Sequence, residues 1–366
     1  MTSLNGLSLI NFRNYERFIW EPKRQKVVVF GPNGSGKTNL LEALSLLVSG
    51  RGLRRSLTEA FIKNDKQDCG WGIQANIHND LVGTYTISTG CLPNSIKRQF
   101  RLNGQPLKNQ HSLSKHLSIV WLTPQMDRLF LEGSSGRRRF LDRLIFSSES
   151  YHSKEIAAYE KSMSQRNKLL AEKCYDHLWL NAIEESMACH AVAIAATRNL
   201  FVKQLNQLSS FSFPDTELVL NCPISENLDH NPALIVEDNL REYWKNKRFE
   251  DAEHKLTRYG VHRSDVVFRD KYSLFNANLA STGQQKALLV GIILKLCEYI
   301  KIKEKTLPFL LLDEPLVHLD VNYRAALLNT LDCYEGFVIS TGTDKAPFET
   351  SGQDFEFLNI DQGIIV

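Results

Sequence analysis

The rhythm of apolar and polar positions changes three times along the chain. Lys26-Val27-Val28-Val29-Phe30 is a short apolar run that stops at a glycine, the pattern of a buried strand. Residues 39–48, dominated by Leu, Ala and Val, predict a buried helix directly after a glycine-rich loop. Between about 72 and 106, apolar and polar positions alternate and breakers fall at Gly83, Gly90, Pro93 and Gly104. With Asn103-Gly104 as a hairpin turn, this region reads as an antiparallel β element. From Arg137 to about Leu208, Leu, Ala, Lys and Glu dominate and glycine is lost. Leu178, Ala182, Ile183, Met187, Ala191 and Ile194 recur at threes and fours, which predicts several long helices. Residues 211–229 read as a strand and a loop, and 232–257 as one more helix. After Gly260 the α/β texture returns. Phe309–Leu312 is a second buried strand, Gly336–Ser340 a third, and a hairpin is expected around Asp361-Gln362-Gly363. The two ends therefore form one discontinuous domain, 1–125 plus 258–366, into which a mostly helical lobe, 126–257, is inserted.

Length and composition agree with two folded cores. The chain has 366 residues, 43% hydrophobic and 23% charged, too long for one core and too apolar for disorder. A net charge of +3 neither requires nor excludes nucleic acid, because a basic face can be compensated elsewhere. Seven cysteines without a CxxC pair argue against a zinc site or a disulfide framework and fit a reducing cytoplasm. The N-terminus lacks the features of a signal peptide, and no run of about 18 apolar residues predicts a membrane span.

The chemistry is carried by three motifs. Gly31-Pro32-Asn33-Gly34-Ser35-Gly36-Lys37-Thr38 matches G-x-x-x-x-G-K-[ST] at every position. Its glycines let the backbone turn its N–H groups toward a phosphate, Lys37 is placed to reach the β- and γ-phosphates of ATP, and Thr38 to ligate Mg2+. Leu310-Leu311-Leu312-Asp313-Glu314 is an apolar strand ending in two carboxylates. Beside a phosphate loop, Asp313 is expected to hold Mg2+ and Glu314 to polarise the attacking water. Ala280-Ser281-Thr282-Gly283-Gln284-Gln285-Lys286 precedes an apolar helix and resembles the ABC signature L-S-G-G-Q, with Ala280 and Thr282 as departures. A plain serine N-cap is the alternative reading of Ser281. In the ABC superfamily the signature covers the γ-phosphate bound by a partner subunit. The resemblance thus implies an ATP-dependent homodimer with Ser281, Gly283 and Gln284 facing the partner's nucleotide. The expected fold class is α/β, a P-loop NTPase of ABC/SMC-head type with an inserted helical lobe. The phosphate loop and signature lie further apart than in a transporter ATPase, while the inserted helices are too short for a long SMC arm.

Longer strings narrow the class. Leu7-Ser8-Leu9-Ile10-Asn11-Phe12-Arg13-Asn14-Tyr15, Arg137-Arg138-Arg139-Phe140-Leu141-Asp142-Arg143, Gln165-Arg166-Asn167-Lys168-Leu169-Leu170, His262-Arg263-Ser264-Asp265 and Thr341-Gly342-Thr343-Asp344 resemble the RecF family. The resemblance implies ATP-dependent dimerisation on DNA at gaps or single-strand/double-strand junctions, with weak hydrolysis. It also implies cooperation with RecO and RecR in loading RecA, in recombinational gap repair, replication fork maintenance and SOS induction. Val261 departs from the family's Gly-Pro-His-Arg string, and Thr341 stands where ABC transporters carry a switch histidine. Gln125 and Asp127 are both candidates for the loop residue that senses Mg2+ in ABC proteins.

Arg51, Arg54 and Arg55 form one basic cluster, and Arg137, Arg138 and Arg139 another. They are candidate DNA phosphate contacts, with a solvated charged face as the alternative. Arg139 and Arg143, beside Phe140, are alternatively paired with acids. His262 and Arg263 either contact nucleotide or serve the structure. No alternation of aromatic and basic residues marks a base-stacking platform. Two other readings compete: an ABC ATPase coupled to a membrane partner, and a DNA clamp whose ATP is structural and never turned over.

Overall fold

The computed structural model describes residues 2–63, 69–93, 95, 97–107, 113, 116–149, 151–172, 176–209, 213–349 and 354–366. Two compact units emerge: Met1–Asp127 with Ser210–Asp215 and Ser281–Val366, and Arg128–Ser209 with Thr216–Ala280.

In the first unit, β1 (Thr2–Phe12), β2 (Tyr15–Trp20), β4 (Trp71–Asn79), β5 (Gly83–Cys91), β6 (Gln99–Leu102) and β7 (Gln105–Pro106) form an antiparallel sheet in the order β2-β1-β4-β5-β6-β7. The expected β element thus continues into an N-terminal hairpin that alternation alone does not reveal. A register shift between Leu4 and Gly6 in β1 breaks the two-residue period there. The second sheet contains β3 (Lys26–Phe30), β8 (Ile119–Leu122), β11 (Phe309–Leu312), β12 (Val338–Gly342), β13 (Glu356–Asp361) and β14 (Ile364–Ile365), ordered β14-β13-β3-β12-β11-β8. All its pairings are parallel except that of β14. The central strands are unbroken apolar runs because both faces are covered. Val27, Val28, Val29 and all of β11 are buried. The strands β13 and β14 meet at Gln362 and Gly363, both with positive φ, at the expected hairpin. Helices α1 (Lys37–Ser45), α8 (Thr282–Glu304), α9 (Val321–Cys333) and α10 (Ala346–Glu349) complete the unit.

The second unit contains α2 (Ser134–Phe146), α3 (His152–Ala171), α4 (His177–Gln207), β9 (Thr216–Asn221), α5 (Pro223–Leu228), α6 (Ala233–Asn246), α7 (Arg248–His254) and β10 (Asp265–Asp270). Its core runs through Tyr159, Leu170, Leu180, Met187, Ala191, Ile194 and Trp244. Two expectations change here. Leu178 is 83% exposed and Ala182 is exposed, because α4 starts at its Asp176 cap and its buried face begins at Leu180 and Ile183. The single helix expected over 232–257 is broken at Lys247 (φ −96°, ψ 5°), so that Arg248 starts a new helix and turns inward. The expected boundary at 258 also moves. β10 pairs with β9 from Asp265↔Asn221 to Asp270↔Thr216, which keeps the chain in this unit as far as Ala280. Residues 213–215 belong instead to the first unit, where Phe213 stacks on Tyr323 and Asp215 ion-pairs with Lys295 of α8.

No described helix is long and apolar enough to cross a membrane. Cys69, Cys91, Cys189, Cys222, Cys297 and Cys333 are free thiols; Cys174 lies outside the described residues.

Candidate nucleotide-binding site

The strands β3, β12, β11 and β8 run parallel, so their carboxyl ends open along one edge of the sheet, where α/β proteins bind ligands. The phosphate loop leaves β3 there. Gly31 has φ 145°, and a Cβ on it would lie 2.2 Å from the Ile360 carbonyl oxygen. Gly36 has φ 116°, and a Cβ would lie 2.4 Å from Asn14 Nδ2. Both positions need glycine for conformation and for space. Lys37 Nζ donates to the carbonyls of Gly31 (2.7 Å) and Pro32 (2.9 Å), which holds the ammonium across the loop. Burial pushes its pKa below the ordinary lysine value, and Glu314 and Asp313 oppose that shift by their charge.

The carboxylate of Asp313 is the meeting point. Its backbone N–H donates to the Leu122 carbonyl at 2.9 Å. Thr38 Oγ1 donates to its two oxygens at 3.0 and 3.2 Å, and Thr341 Oγ1 to Oδ1 at 2.8 Å. The Thr341 hydroxyl in turn accepts the Glu314 N–H at 3.0 Å, at a point where Glu314 has φ 50°. Three segments far apart in sequence therefore converge at the ends of β3, β11 and β12. The residues fit a triphosphate with a divalent cation. Ser35 Oγ is buried with no hydrogen-bond partner among the described residues, and Thr38 with Asp313 supplies hard oxygen donors suited to Mg2+. Pro32, Asn33 and Gly34 are exposed along the loop.

The string Phe12-Arg13-Asn14-Tyr15 acquires a physical role here. It forms the β1–β2 turn, with Arg13 at φ 56°. Asn14 Nδ2 donates to Ser35 O (2.9 Å) and Tyr15 Oη to Gly36 O (3.0 Å), while Gly363 N from the C-terminal hairpin also reaches Ser35 O (3.0 Å). Arg13 grips the buried Glu42 of α1 with two bonds of 2.9 Å. These residues brace the loop from below. Motif reading did not place them in the site, and their signal was confined to the family-like string.

The signature residues head α8. Ser281 is its N-cap in a capping box: Gln284 N donates to Ser281 Oγ (3.4 Å) and Ser281 N to Gln284 Oε1 (3.0 Å). Ser281, Thr282 and Gln284 are exposed, and Gly283 is half-buried. Gln125 is exposed on the turn after β8, whereas Asp127 on that turn is bonded to Lys286.

The arginines expected at DNA separate into two groups. Arg51 and Arg55 are exposed, with no side-chain partner among the described residues. Arg54 donates to Asn39 Oδ1 (2.7 Å) and lies 3.4 Å from Glu42. In the second unit, Arg137 makes a two-bond pair with Asp265 (2.9 and 2.7 Å), and Arg138 donates to the Ser264 carbonyl. Arg139 is exposed and donates to Ser135 O, and Arg143 lies over the Phe140 ring. The guanidinium groups of Arg54, Arg137 and Arg138 thus already have partners within the chain, whereas those of Arg51 and Arg55 face solvent. His262 is structural: Nε2 donates to the Thr257 carbonyl (3.0 Å) and Nδ1 accepts from Tyr159 Oη (2.7 Å). Burial lowers its pKa to about 4.

Fold and site define a P-loop NTPase of the ABC/SMC-head type. Consistent with this, the family of RecF/RecN/SMC N-terminal domains matches residues 3–349. Relatives named "DNA replication and repair protein RecF" from Allorhizobium ampelinum and Agrobacterium fabrum are each 38% identical, covering 99% of this chain and 98% and 97% of their own length. A solved structure of "the recombination mediator protein RecF-ATPrS in RecFOR pathway" superposes with a TM-score of 0.85 at 25% identity, covering all of this chain and 97% of its own. An Smc head domain from Pyrococcus furiosus shares the fold at a TM-score of 0.54 and 14% identity, covering all of this chain and 95% of its own. The chain belongs to the RecF family.

Proposed function

We propose that this chain is an ATP-dependent DNA-binding switch that closes as a homodimer on gapped or junction DNA and acts with RecO and RecR to load RecA. The observation that carries the reading is the convergence of Thr38 and Thr341 on Asp313, beside Lys37 and Glu314. Lys37 binds the β- and γ-phosphates, and the loop amides between Gly31 and Thr38 line the phosphate path. Thr38 and Asp313 would hold Mg2+, whose charge would offset that of the transferring phosphoryl group. Glu314 accepts the proton of the attacking water. Thr341, buried, donates to the Asp313 carboxylate and accepts the Glu314 backbone N–H, and it lacks the titratable imidazole of a switch histidine, which supports weak turnover. Ser281 and Gln284, both exposed, and the half-buried Gly283 between them cap the nucleotide of the second protomer. Arg51 and Arg55 supply phosphate contacts to DNA in the cytoplasm, in recombinational repair, fork maintenance and the SOS response.

Sedimentation on a gapped duplex with ATP, ADP and no nucleotide tests this. ATP alone should produce the DNA-bound dimer, and Glu314→Gln should trap it with hydrolysis reduced roughly 100-fold or more. A parent protein whose mass and DNA retention ignore nucleotide overturns the reading. A Glu314→Gln variant that hydrolyses like the parent removes Glu314 from its assigned role.

A further inference from the structure

We propose that Lys286 and Asp127 are positioning residues that couple the nucleotide held by one protomer to the signature tip it offers to its partner. The inference rests on the reading above. Lys286 is 1% exposed, and its ammonium lies 2.8 and 3.1 Å from the two carboxylate oxygens of Asp127. Among the described residues, no other carboxylate pairs with it. A buried ammonium facing one carboxylate holds its partner in a narrow range of positions, because any displacement leaves an unpaired charge away from water.

The two ends of this pair sit on different functional parts. Lys286 is four residues after Thr282, on the same face of α8 and one turn inside the exposed tip. Asp127 lies on the 3-10 turn Pro124–Arg128, just beyond the end of β8. That strand is in register with β11, Leu122 opposite Leu312, and the Leu122 carbonyl accepts the Asp313 N–H. A continuous path therefore leads from the Asp313 carboxylate through Leu122 and the short turn to Asp127, then through the ion pair to the head of α8. The loop after β11 also passes close to the same tip. A Cβ on Gly283 would meet the His318 carbonyl oxygen at 2.9 Å, and His318 follows Glu314 on the adjoining loop. The exposed Gln125 occupies the middle of this path, so a change at the strand ends would be felt at both Gln125 and Ser281. Asp127 is thereby assigned to positioning rather than to the cation.

The test compares the parent, Asp127→Asn, Asp127→Glu and Lys286→Arg, all at a temperature well below their melting points. ATP affinity is read by equilibrium binding to dilute monomer, and the dimer constant by sedimentation with saturating ATP. Asp127→Asn should bind ATP within twofold of the parent yet dimerise at least tenfold more weakly. Asp127→Glu keeps the charge but moves the carboxylate by one methylene; it should weaken the dimer by a smaller factor, and it serves as the variant if Asp127→Asn does not fold. Lys286→Arg should recover most of the parent's dimer constant. Folded Asp127 variants that dimerise like the parent would sink the proposal, as would a parallel loss of ATP affinity. A parent that fails to dimerise with ATP instead overturns the underlying functional reading, an outcome separable from the first because it appears without any substitution.

Discussion

The strand ends of the first unit and the interior of the second treat buried charge in opposite ways. At the strand ends of the first unit, charged and polar groups are left with bonding capacity in hand. Among the described residues, Lys37 donates to two loop carbonyls, Ser35 Oγ has no partner, and Asp313 gathers two hydroxyls. In the second unit, charges saturate one another. Arg166, fully buried, donates to Glu184, Asp251, Thr257 and the Trp244 carbonyl, while Arg248 shares Glu184. Arg198 grips Asp142 with bonds of 2.8 and 2.7 Å, and His152 reaches the same carboxylate. A polar cluster that satisfies itself specifies a fold, whereas one that remains under-bonded at the edge of a parallel sheet awaits a ligand.

That contrast can be broken or sharpened. Arg166→Ala should have the largest effect, destabilising the chain by about 3–5 kcal/mol because Asp251 loses its buried guanidinium and Glu184 one of its two. Denaturant unfolding measures this, and nucleotide affinity of the fraction still folded should be unchanged; a loss under 1 kcal/mol would contradict the network's structural role.

Acid should act next, and through the second unit. His262 is held neutral with a folded pKa of about 4, below its ordinary value of 6.5. The sign follows from proton uptake: the unfolded chain binds the proton first, so this contribution is complete above pH 6.5 and is lost as pH falls toward 4. The loss is about 3 kcal/mol. A His262→Asn variant should show a flatter stability profile across that window, and an unchanged slope would refute the assignment.

Lys37→Ala should leave the melting temperature near the parent's but lower ATP affinity roughly 100-fold, about 2.7 kcal/mol, in direct binding measurements. A collapse of stability instead would mean that the loop, too, is built for the fold. The smallest effects are expected at the surface. Arg51→Ala and Arg55→Ala should each weaken DNA retention modestly and reduce its salt slope by about one. Arg54→Ala, Arg137→Ala and Arg138→Ala should register in unfolding experiments before they register in that slope.

Much of the site could be read along the chain because its chemistry is local. Gly31 to Thr38 must be contiguous to wrap a phosphate, Asp313 and Glu314 must end an apolar strand, and Ser281 to Gln284 must open a helix. The hairpin at Gln362-Gly363 was equally legible, since positive φ at consecutive positions demands particular residues. The arginine strings were harder. Arg51, Arg54 and Arg55 look alike in sequence, but only the fold brings Glu42 and Asn39 to Arg54.

By itself, then, the sequence determined the nucleotide motifs, the buried strands that carry them and the insertion of a helical unit, because each depends on neighbours within one turn or one strand. Tertiary structure alone decided which charges are free. It set Asn14 and Tyr15 beneath the phosphate loop, closed Arg137 onto Asp265 and brought Asp127 to Lys286. Such pairings join residues far apart in the chain, and their energy depends on desolvation and exact partnership, neither of which any local pattern encodes.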